Sequence, residues 1–433
     1  MQAAQRSEYN HALEYAIEHA NRLRKPVVVL FCLVCNYPEA NERHYIFMLE
    51  GLRETQNSLE ARGVQMVIFQ GAPELAVPRF AQRAALVVTD GGHLRIQRKW
   101  RDNVAASINC PLIEVETNLI VPVEAASPKE DYSAGTFRPK ISRQLGRYLV
   151  KLRHRKPRVD SLKLSLDSLA IGDIDRVISK LGIDRTVGKV ERFRGGLSEA
   201  KRHLRAFVKD KLDHYADRHS DPNVDCASNM SPYLHFGQIS PLFVALEVLK
   251  KSSPGKDAYL EQLIVRRELS YNFVYYNGGY DNFKSLPAWV MRTLNYHRRD
   301  KRQYIYSPEQ LEAAGTHDVC WNAAQEEMVL TGNMHNYMRM YWGKKIMEWT
   351  RSPQTAFKIA LYLNNKYELD GRDANGFAGV AWCFGKHDRP WLERPIFGQV
   401  RYMNSNGLKR KFDPDKYVKT VHNLRTTQDR YDK

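Results

Sequence analysis

Hydrophobic positions in the first 125 residues follow two alternating patterns, one of helices and one of strands. Continuous apolar runs predict four strands, at 27–33, 64–70, 85–90 and 111–117. Amphipathic stretches before and between these runs predict helices, the clearest at 6–24 and 42–62. Runs that are apolar throughout are typical of parallel strands whose sheet is covered on both faces. The pattern therefore predicts a doubly wound, Rossmann-like α/β domain over residues 1–125.

The order of these elements is unusual because the chain opens on a helix. Doubly wound domains usually begin with a central strand, so we expect part of a strand to precede Met1 in the natural gene and the sheet to lack its first strand here. Neither a GxGxxG sequence after a strand nor a GxxxxGK[ST] sequence occurs. The two common nucleotide-binding fingerprints are thus missing, and a ligand of this domain would be bound in another way.

Residues beyond 125 change character twice. The stretch 126–195 is rich in charge and includes the basic, proline-containing LVKLRHRKPRV at 149–159, which predicts an interdomain linker. From 196 to 433 the pattern is almost entirely helical, which predicts an all-α C-terminal domain. Its helices are expected near 198–217, 232–250, 256–276, 324–350 and 353–364.

Composition and charge narrow the class of protein. Of 433 residues, 43% are hydrophobic and no 18 consecutive residues are apolar, so we expect a globular protein without a membrane span. The first residues lack the layout of a signal peptide and the six cysteines are scattered, which predicts an intracellular protein. A net charge of +17 favours nucleic acid as a partner, although a merely soluble basic protein is the alternative. Cys32 and Cys35 form an isolated CxxC, which we interpret as a strand end without metal.

Three segments carry side chains suited to chemistry, and each has an ordinary structural alternative. In SNMSPYLHFGQIS, at 228–240, Ser231 and Pro232 predict a helix start that attracts phosphate, or simply a capped helix. In MRMYWGKKIMEW, Trp342 and Trp349 share a helix face about 10 Å apart, which suits electron hopping or plain core packing. The polar segment 363–382 suits contacts with a ribose or a ring system, or is an Asx-rich turn.

These segments and THDVCWNAAQ, taken in order, resemble the flavin domain of the class II cyclobutane pyrimidine dimer photolyases, in the photolyase/cryptochrome superfamily. The resemblance implies a U-shaped FAD in the helical domain, active when reduced, and an antenna pigment such as a deazaflavin in the first domain. It implies light-driven repair, in which a dimer flipped out of damaged duplex DNA receives one electron and its cyclobutane ring opens. The implied protein is a monomer without resident metal that works in the cytoplasm, or in the nucleus of a eukaryote.

The resemblance also assigns cofactor contacts. Arg339 would pair with Asp370 beside the isoalloxazine, and Asn364 would lie opposite N5 and control protonation of the reduced ring. The remaining implied FAD contacts are Tyr215, Ser228, Asn229, Met230, Ser231, His235, Gln238 and Asp373. An electron relay would run from Trp342, nearest the flavin, through Trp321 and Trp349 to the surface.

Other residues would contact DNA. Trp382 would stack on the dimer, while Arg389, Trp391 and Arg401 would fill the gap left in the duplex and hold phosphates. All four lie near the end of the predicted helical region, in or close to a run of basic and aromatic residues.

Two positions depart from the family pattern. Gln262 stands where a glutamate usually bonds the dimer's carbonyl, and the adjacent Glu261 would project roughly 100° away around a helix. His219 stands where an arginine often holds the lesion's phosphate, a role that Arg218 can take. Gln262 keeps open a flavin photoreceptor of the cryptochrome type that repairs nothing. A basic helical nucleic-acid-binding protein without cofactor is a further alternative.

Overall fold

The strands of the first domain form two separate parallel pairs in the computed structural model, which describes residues 1–431 and the side chains of residues 1–426. The strands are β1 Val28–Leu33 paired with β2 Gln65–Gln70, and β3 Val87–Asp90 paired with β4 Leu112–Val115. The helices around them are α1 His11–Leu23, α2 Glu42–Glu60, α3 Pro73–Ala81 and α4 Arg95–Ser107. The predicted α/β architecture with parallel strands is therefore confirmed.

An apolar cavity of about 850 Å³ separates the two strand pairs. At one end of it the ammonium of Met1 donates to the carbonyl of Leu30 in β1 at 2.9 Å. The next residue, Gln2, donates its backbone N–H to Asp90 Oδ1, at the end of β3, also at 2.9 Å. Neighbouring backbone groups thus reach both pairs, and the gap at this end is about one strand wide.

The remainder of the described chain is helical. Its helices are α5 Val123–Ala126, α6 Ala134–Tyr148, α7 Ile174–Lys180, α8 Leu197–Ala206, α9 Tyr215–Arg218, α10 Ser231–His235, α11 Pro241–Leu249, α12 Lys256–Leu260, α13 Arg267–Tyr276, α14 Ala288–Tyr296, α15 Pro308–Glu312, α16 Val319–Thr331, α17 Asn336–Trp349, α18 Pro353–Tyr367, α19 Ala374–Cys383, α20 Ser405–Lys409 and α21 Pro414–Tyr431. Single π turns lie at Phe207–Lys211 and Glu261–Arg266, and 3₁₀ turns at Leu212–His214, Phe283–Ser285 and His297–Arg299.

Two long predicted helices are each broken at a glycine. The stretch 232–250 divides at Gly237, whose φ of +64° places it in the left-handed region, and a Cβ there would meet the carbonyl oxygen of Ala3 at 2.1 Å. The stretch 324–350 divides at Gly332, with φ of +69°, which ends α16. Only glycine adopts this conformation without steric cost, so both breaks are local backbone requirements that the hydrophobic period does not reveal.

The predicted linker contains ordered elements. α6 packs Phe137 and Ile141 into the same core as Phe207 and Leu263 of the helical region. α7 instead lies against α2 of the first domain, where Val177 joins the core around β1 and β2. Ala126 and Phe193, near the two ends of the stretch 126–195, therefore belong to the core of the helical region, whereas α7 between them belongs to the core of the first domain.

Two buried arginines tie the first domain to the helices. Arg6 donates to the carbonyl of Gly237 at 2.9 Å and to Asn118 Oδ1 at 2.8 Å. Arg43 donates to the carbonyls of Val329 and Tyr367, both at 2.7 Å, at the ends of α16 and α18. Helix-end carbonyls lack intrahelical partners, so these guanidinium groups satisfy them and fix the domains relative to each other.

Candidate functional site

Arg339 of α17 lies between two carboxylates that follow α18. Its Nη2 is 3.4 Å from Asp370 Oδ1, the predicted pair, and 3.0 Å from Glu368 Oε1, which the sequence analysis missed. Although burial alone would lower it, the two acids raise the pKa of Arg339 above its usual range, so the guanidinium stays charged. Glu368 directly follows α18 and Asp370 lies in the turn after it, so no strand-like alternation marked Glu368 in the sequence.

This polar cluster retains unused hydrogen-bonding capacity. Within the described residues, Nε of Arg339 and Oε2 of Glu368 are buried without a hydrogen-bond partner. Burial raises the pKa of Glu368 well above its usual range. Buried polar atoms are normally satisfied, so the two unpaired atoms indicate that a polar ligand completes the cluster.

Arg267 of α13 provides the strongest sign of an anionic ligand. The residue is 6% exposed, and its Nε and Nη1 have no partner among the described residues. Only Nη2 is engaged, and it donates to Tyr271 Oη at 3.2 Å. A buried guanidinium with two free donors fits one phosphate of a dinucleotide, because such charge-assisted hydrogen bonds offset the cost of burying the charge.

Asp373 continues this network toward α10. Its carboxylate accepts the Tyr271 hydroxyl at 3.2 Å and the Asn375 amide at 3.0 Å, and His235 Nδ1 lies 3.9 Å away. Burial alone would raise the pKa of Asp373, but His235 and the charge of Arg267 hold it well below its usual range. The carboxylate is therefore ionised and can orient His235.

The 228–231 turn lies beside this network, although not as the sequence suggested. α10 has five residues, so its N-terminus is too short to act as a phosphate site on its own. Asn229 adopts φ of +56°, which asparagine tolerates, and Ser228 hydrogen-bonds Tyr259, whose ring centre is 5.3 Å from that of Tyr215. Of the other two turn residues, Met230 is buried and Ser231 is exposed.

The helix predicted over 232–250 includes Gln238. This prediction is wrong, because α10 ends at His235. Its amide is engaged in domain packing: the oxygen accepts the Gly196 N–H at 2.7 Å and the nitrogen donates to the carbonyl of Phe47 at 3.1 Å. The absent side chain of Gly51 leaves room for this amide, since a Cβ there would lie 2.2 Å from its nitrogen.

Asn364 is held inside the same region. The side chain is 1% exposed and donates from Nδ2 to Asn365 Oδ1 at 3.3 Å. A Cβ added at Gly376 would come within 3.1 Å of Nδ2, so this glycine leaves space for the amide. Asn364 lies in the last turn of α18, and Asp370 lies in the turn that joins α18 to α19.

The three relay tryptophans form a connected group. Trp342 Nε1 donates to Gln325 Oε1 at 2.9 Å, and Trp321 Nε1 donates to the backbone carbonyl of Trp342 at 3.0 Å. The ring centres of Trp321 and Trp349 are 5.7 Å apart at an interplanar angle of 69°. All three are at most 2% exposed, so Trp349 does not reach the surface as the sequence analysis expected.

The predicted DNA contacts at 382–401 come together on one surface, which we call the tryptophan–arginine surface (Trp382, Arg389, Trp391 and Arg401). The Arg401 guanidinium lies 5.5 Å from the Trp382 ring centre and 4.2 Å from that of Trp391, and Arg389 lies 5.3 Å from Trp391. Asp388 accepts hydrogen bonds from Arg401 Nε at 3.1 Å and Trp391 Nε1 at 3.3 Å. The cations and aromatic faces suit phosphates and bases together.

The other predicted DNA contacts lie elsewhere. Arg218 is exposed, whereas the His219 ring stacks on Tyr215 with centres 4.8 Å apart, which places both beside the 228–231 turn. Gln262 is exposed on the π turn, so the expected regular helical spacing from Glu261 does not apply. The Glu261 carboxylate forms ion pairs with Arg138, at 2.7 Å, and with Arg266, at 3.3 Å.

Comparison with known proteins identifies the family. The DNA photolyase family model matches residues 1–159. A deoxyribodipyrimidine photo-lyase of Methanothermobacter thermautotrophicus is 53% identical over 98% of this chain and 94% of its own length. One of Arabidopsis thaliana is 40% identical over 97% of this chain and 87% of its own length. The chain belongs to the deoxyribodipyrimidine photo-lyase family.

Solved structures share the fold at low sequence identity. A photolyase of Sulfolobus tokodaii, described with two FAD molecules, superposes with a TM-score of 0.74 at 18% identity and covers 97% of this chain and 90% of its own. A cryptochrome of Synechocystis gives 0.72 at 14% identity, with 93% and 84% coverage. The fold is thus common to photolyases and cryptochromes, and the photo-lyase relatives rather than the fold support an enzyme.

The described residues contain neither a membrane-spanning helix nor a metal-binding cluster. Within 1–431, none of the helices is both long and apolar enough to cross a bilayer. Over the same part of the chain, His, Cys, Asp and Glu side chains form no group of three or more suited to a metal ion.

Proposed function

We propose that the protein is a class II photolyase that repairs cyclobutane pyrimidine dimers by light-driven electron transfer. One observation carries the proposal: a single helix, α17, bears at least one residue that belongs to or contacts each of the three functional regions. It presents Arg339 to the carboxylates, Trp342 and Trp349 to the relay and Lys344 to the ring of Trp382. The cofactor region, the relay and the tryptophan–arginine surface are therefore mechanically connected.

FAD would be held by charged side chains already in position. Arg267 would bind a phosphate with its two free donors, while Arg339, fixed by Glu368 and Asp370, would face the isoalloxazine. Asn364, with its amide in the space beside Gly376, would contact the ring edge and control a proton there. When bound and reduced, FAD supplies the electron that light drives to the dimer. The buried surroundings exclude water from this step.

The tryptophan–arginine surface would receive the damaged duplex. Arg389 and Arg401 would neutralise phosphates, and the half-buried Trp382 would stack on the flipped dimer. Trp391, 38% exposed and flanked by both arginines, would occupy the gap in the duplex. Flipping is easiest at a lesion, where base pairing is already weak, which gives selectivity without reading the sequence.

The tryptophans would serve reduction of the cofactor rather than repair. Indole rings packed 5.7 Å apart in a dry core suit stepwise electron transfer toward the flavin. The proposed order Trp342, Trp321, Trp349 is supported by the hydrogen bond that joins the first pair and the ring contact that joins the second.

A cryptochrome-type photoreceptor is the second candidate, favoured by Gln262 alone. This exposed side chain lacks the carboxyl group that the family places against the dimer. A photoreceptor would keep the flavin and the relay but leave dimers unchanged, so illumination distinguishes the two functions.

The deciding experiment is light-dependent repair. Purified protein with flavin absorption near about 370 and 450 nm, a property of the cofactor itself, is reduced and illuminated with a dimer-containing duplex. We expect cyclobutane dimers to disappear only in the light and a duplex carrying the other common pyrimidine photoproduct to stay unchanged. Unchanged dimer counts with normal flavin content would exclude the photolyase and support the photoreceptor. A sample without flavin bands would exclude both.

We propose that a second chromophore, a deazaflavin or similar pigment, binds in the first domain. We further propose that the protein acts as a monomer and resides with DNA, in the cytoplasm or a nucleus.

A further inference from the structure

The relay ends inside the protein, because Trp349 is only 2% exposed. Two aromatic side chains from another part of the chain, Tyr306 and His317, pack against Trp349. The ring centre of Tyr306 lies 5.6 Å from that of Trp349 at 79°, and that of His317 lies 5.1 Å away at 64°. Both distances are no longer than the 5.7 Å between Trp321 and Trp349. The aromatic path therefore continues beyond the third tryptophan.

Tyr306 and His317 are also joined by a hydrogen bond. Tyr306 Oη lies 2.7 Å from His317 Nδ1, and the same oxygen accepts the backbone N–H of His317 at 3.0 Å. With the imidazole protonated on Nε2, the hydroxyl hydrogen is donated to Nδ1. The backbone N–H of Tyr306 donates to the carbonyl of Trp349 at 3.1 Å, which fixes the tyrosine beside the relay.

The surroundings suit a charge that forms on His317. Tyr304 stacks on the imidazole with ring centres 3.7 Å apart at 21°, and an aromatic face stabilises a cation. His317 is exposed and Tyr304 is 38% exposed, so water can take up a proton at this point. A phenol loses an electron readily only when its proton leaves at the same time, and the hydrogen bond to Nδ1 supplies the acceptor.

We propose that Tyr306 and His317 form the outer end of the electron path, with Tyr306 giving an electron to oxidised Trp349 while its phenolic proton moves to His317 Nδ1. This inference rests on the proposed function, in which Trp349 loses an electron to the inner tryptophans. The step converts the Trp349 cation radical to neutral indole and leaves a neutral tyrosyl radical beside an imidazolium. One positive charge is present before and after the step. An added thiol then donates a hydrogen atom to the tyrosyl radical and restores Tyr306, and the thiol becomes a thiyl radical.

The test compares Tyr306→Phe and His317→Phe with the unaltered protein by transient absorption and electron paramagnetic resonance after a flash. The unaltered protein is expected to show a tyrosyl radical replacing the tryptophan cation, more slowly in D₂O. Both variants should lose the tyrosyl signal, retain the tryptophan cation until it recombines, and accumulate reduced flavin several-fold more slowly with thiol. Tyr296→Phe is the control, because Tyr296 is 80% exposed and its ring meets that of His297 edge-on, with ring centres 5.1 Å apart.

The outcomes separate this inference from the function on which it rests. A tyrosyl signal that persists in Tyr306→Phe, or a His317→Phe protein with unaltered radical kinetics, would overturn the inference. Repair by protein reduced beforehand with dithionite does not use the outer path, so a failure there in the unaltered protein refutes the proposed function instead. Flavin content and circular dichroism of each variant show whether it has folded.

Discussion

The ammonium of Lys344 lies 5.4 Å from the centre of the Trp382 ring and has no hydrogen-bond partner among the residues that the structure describes. Lys344 is 0% exposed. Burial lowers its pKa to about 8, while Cys383 and Asp388 act to raise it and Arg401 to lower it. A buried cation thus lies against the aromatic ring that is expected to meet the lesion.

The first prediction concerns the stability of this arrangement. Between about pH 8 and the usual lysine pKa of 10.5, the unfolded chain binds more protons at Lys344 than the folded one. This group therefore makes the free energy of unfolding rise with pH, by about 1.4 kcal/mol from about pH 7 to about pH 9. Lys344→Met should lack that rise, which urea unfolding at several pH values measures.

Lys345→Met is the matched control for this prediction. The Lys345 ammonium is paired with Glu348 Oε2 at 2.6 Å, so its removal should leave the pH dependence due to Lys344 in place. Parallel pH profiles for the unaltered protein and Lys344→Met would contradict the lowered pKa.

The second prediction concerns the relay. Trp342→Phe should reduce the rate of flavin photoreduction to a small fraction, because the indole nearest the cofactor is lost. It should also cost about 1–3 kcal/mol of stability, since the buried Gln325 amide loses its donor. Trp100→Phe removes another buried tryptophan, 8% exposed, which lies in the first domain, and this variant should photoreduce normally. Equal loss in both variants would show a general structural effect.

The third prediction concerns DNA affinity. Binding to dimer-containing duplex should weaken steeply with salt, and Arg389→Gln should lower the slope of log K against log salt by about 0.9 if Arg389 holds one phosphate. Fluorescence anisotropy over a range of salt concentrations measures this slope. Arg22→Gln, an exposed change on α1, should leave the slope unaltered. A response to salt that is flat in every variant would exclude the tryptophan–arginine surface as a phosphate contact.

The fourth prediction concerns cofactor retention. Arg267→Met removes the two free buried donors, and each charge-assisted hydrogen bond contributes about 1.5–3 kcal/mol, so the Kd for FAD should rise roughly tenfold or more. Titration of the apoprotein with FAD measures this change. Arg266→Met alters the exposed neighbour and should bind as before. Unchanged affinity in Arg267→Met would remove Arg267 from the phosphate site.

The fifth prediction concerns Gln262. Gln262→Glu should raise the repair yield per absorbed photon, because a carboxyl group can both donate to the dimer and release a proton, whereas an amide can only donate. Gln82→Glu adds the same charge at an exposed position of the first domain and should have no effect. A lower yield in Gln262→Glu would show that the amide is adapted to its site.

Local periodicity and motif order predicted much of this molecule. The four strands depend on residue type and spacing along the sequence, whereas the pairing of Arg339 with Asp370 and the grouping of Arg389, Trp391 and Arg401 were implied by the family resemblance. The π turn under Gln262 and the helix break at Gly237 depend on contacts from distant segments, including the carbonyl of Ala3. The hydrophobic pattern along the sequence does not reveal long-range packing of this kind.

The buried site residues show the same limit. The pairing of Glu368 with Arg339, the free donors of Arg267 and the burial of Trp349 become visible only when neighbouring helices are in place. Gln238 illustrates the converse, because its motif position suggested the cofactor while its amide joins Phe47 to Gly196. Motifs specify which groups are near one another more reliably than what each group contacts.

The cavity between the two strand pairs has a consequence for how the molecule opens. β1 and β3 face it with edges that have no strand partner among the described residues, so no sheet hydrogen bonds join the two pairs there. Local openings follow such weakly bonded regions, so amide protons of β1 and β3 should exchange with solvent well before those of α16 and α17. Heat or denaturant would then unfold the first domain while the helices that bear the relay stay folded. The molecule would therefore unfold in two stages.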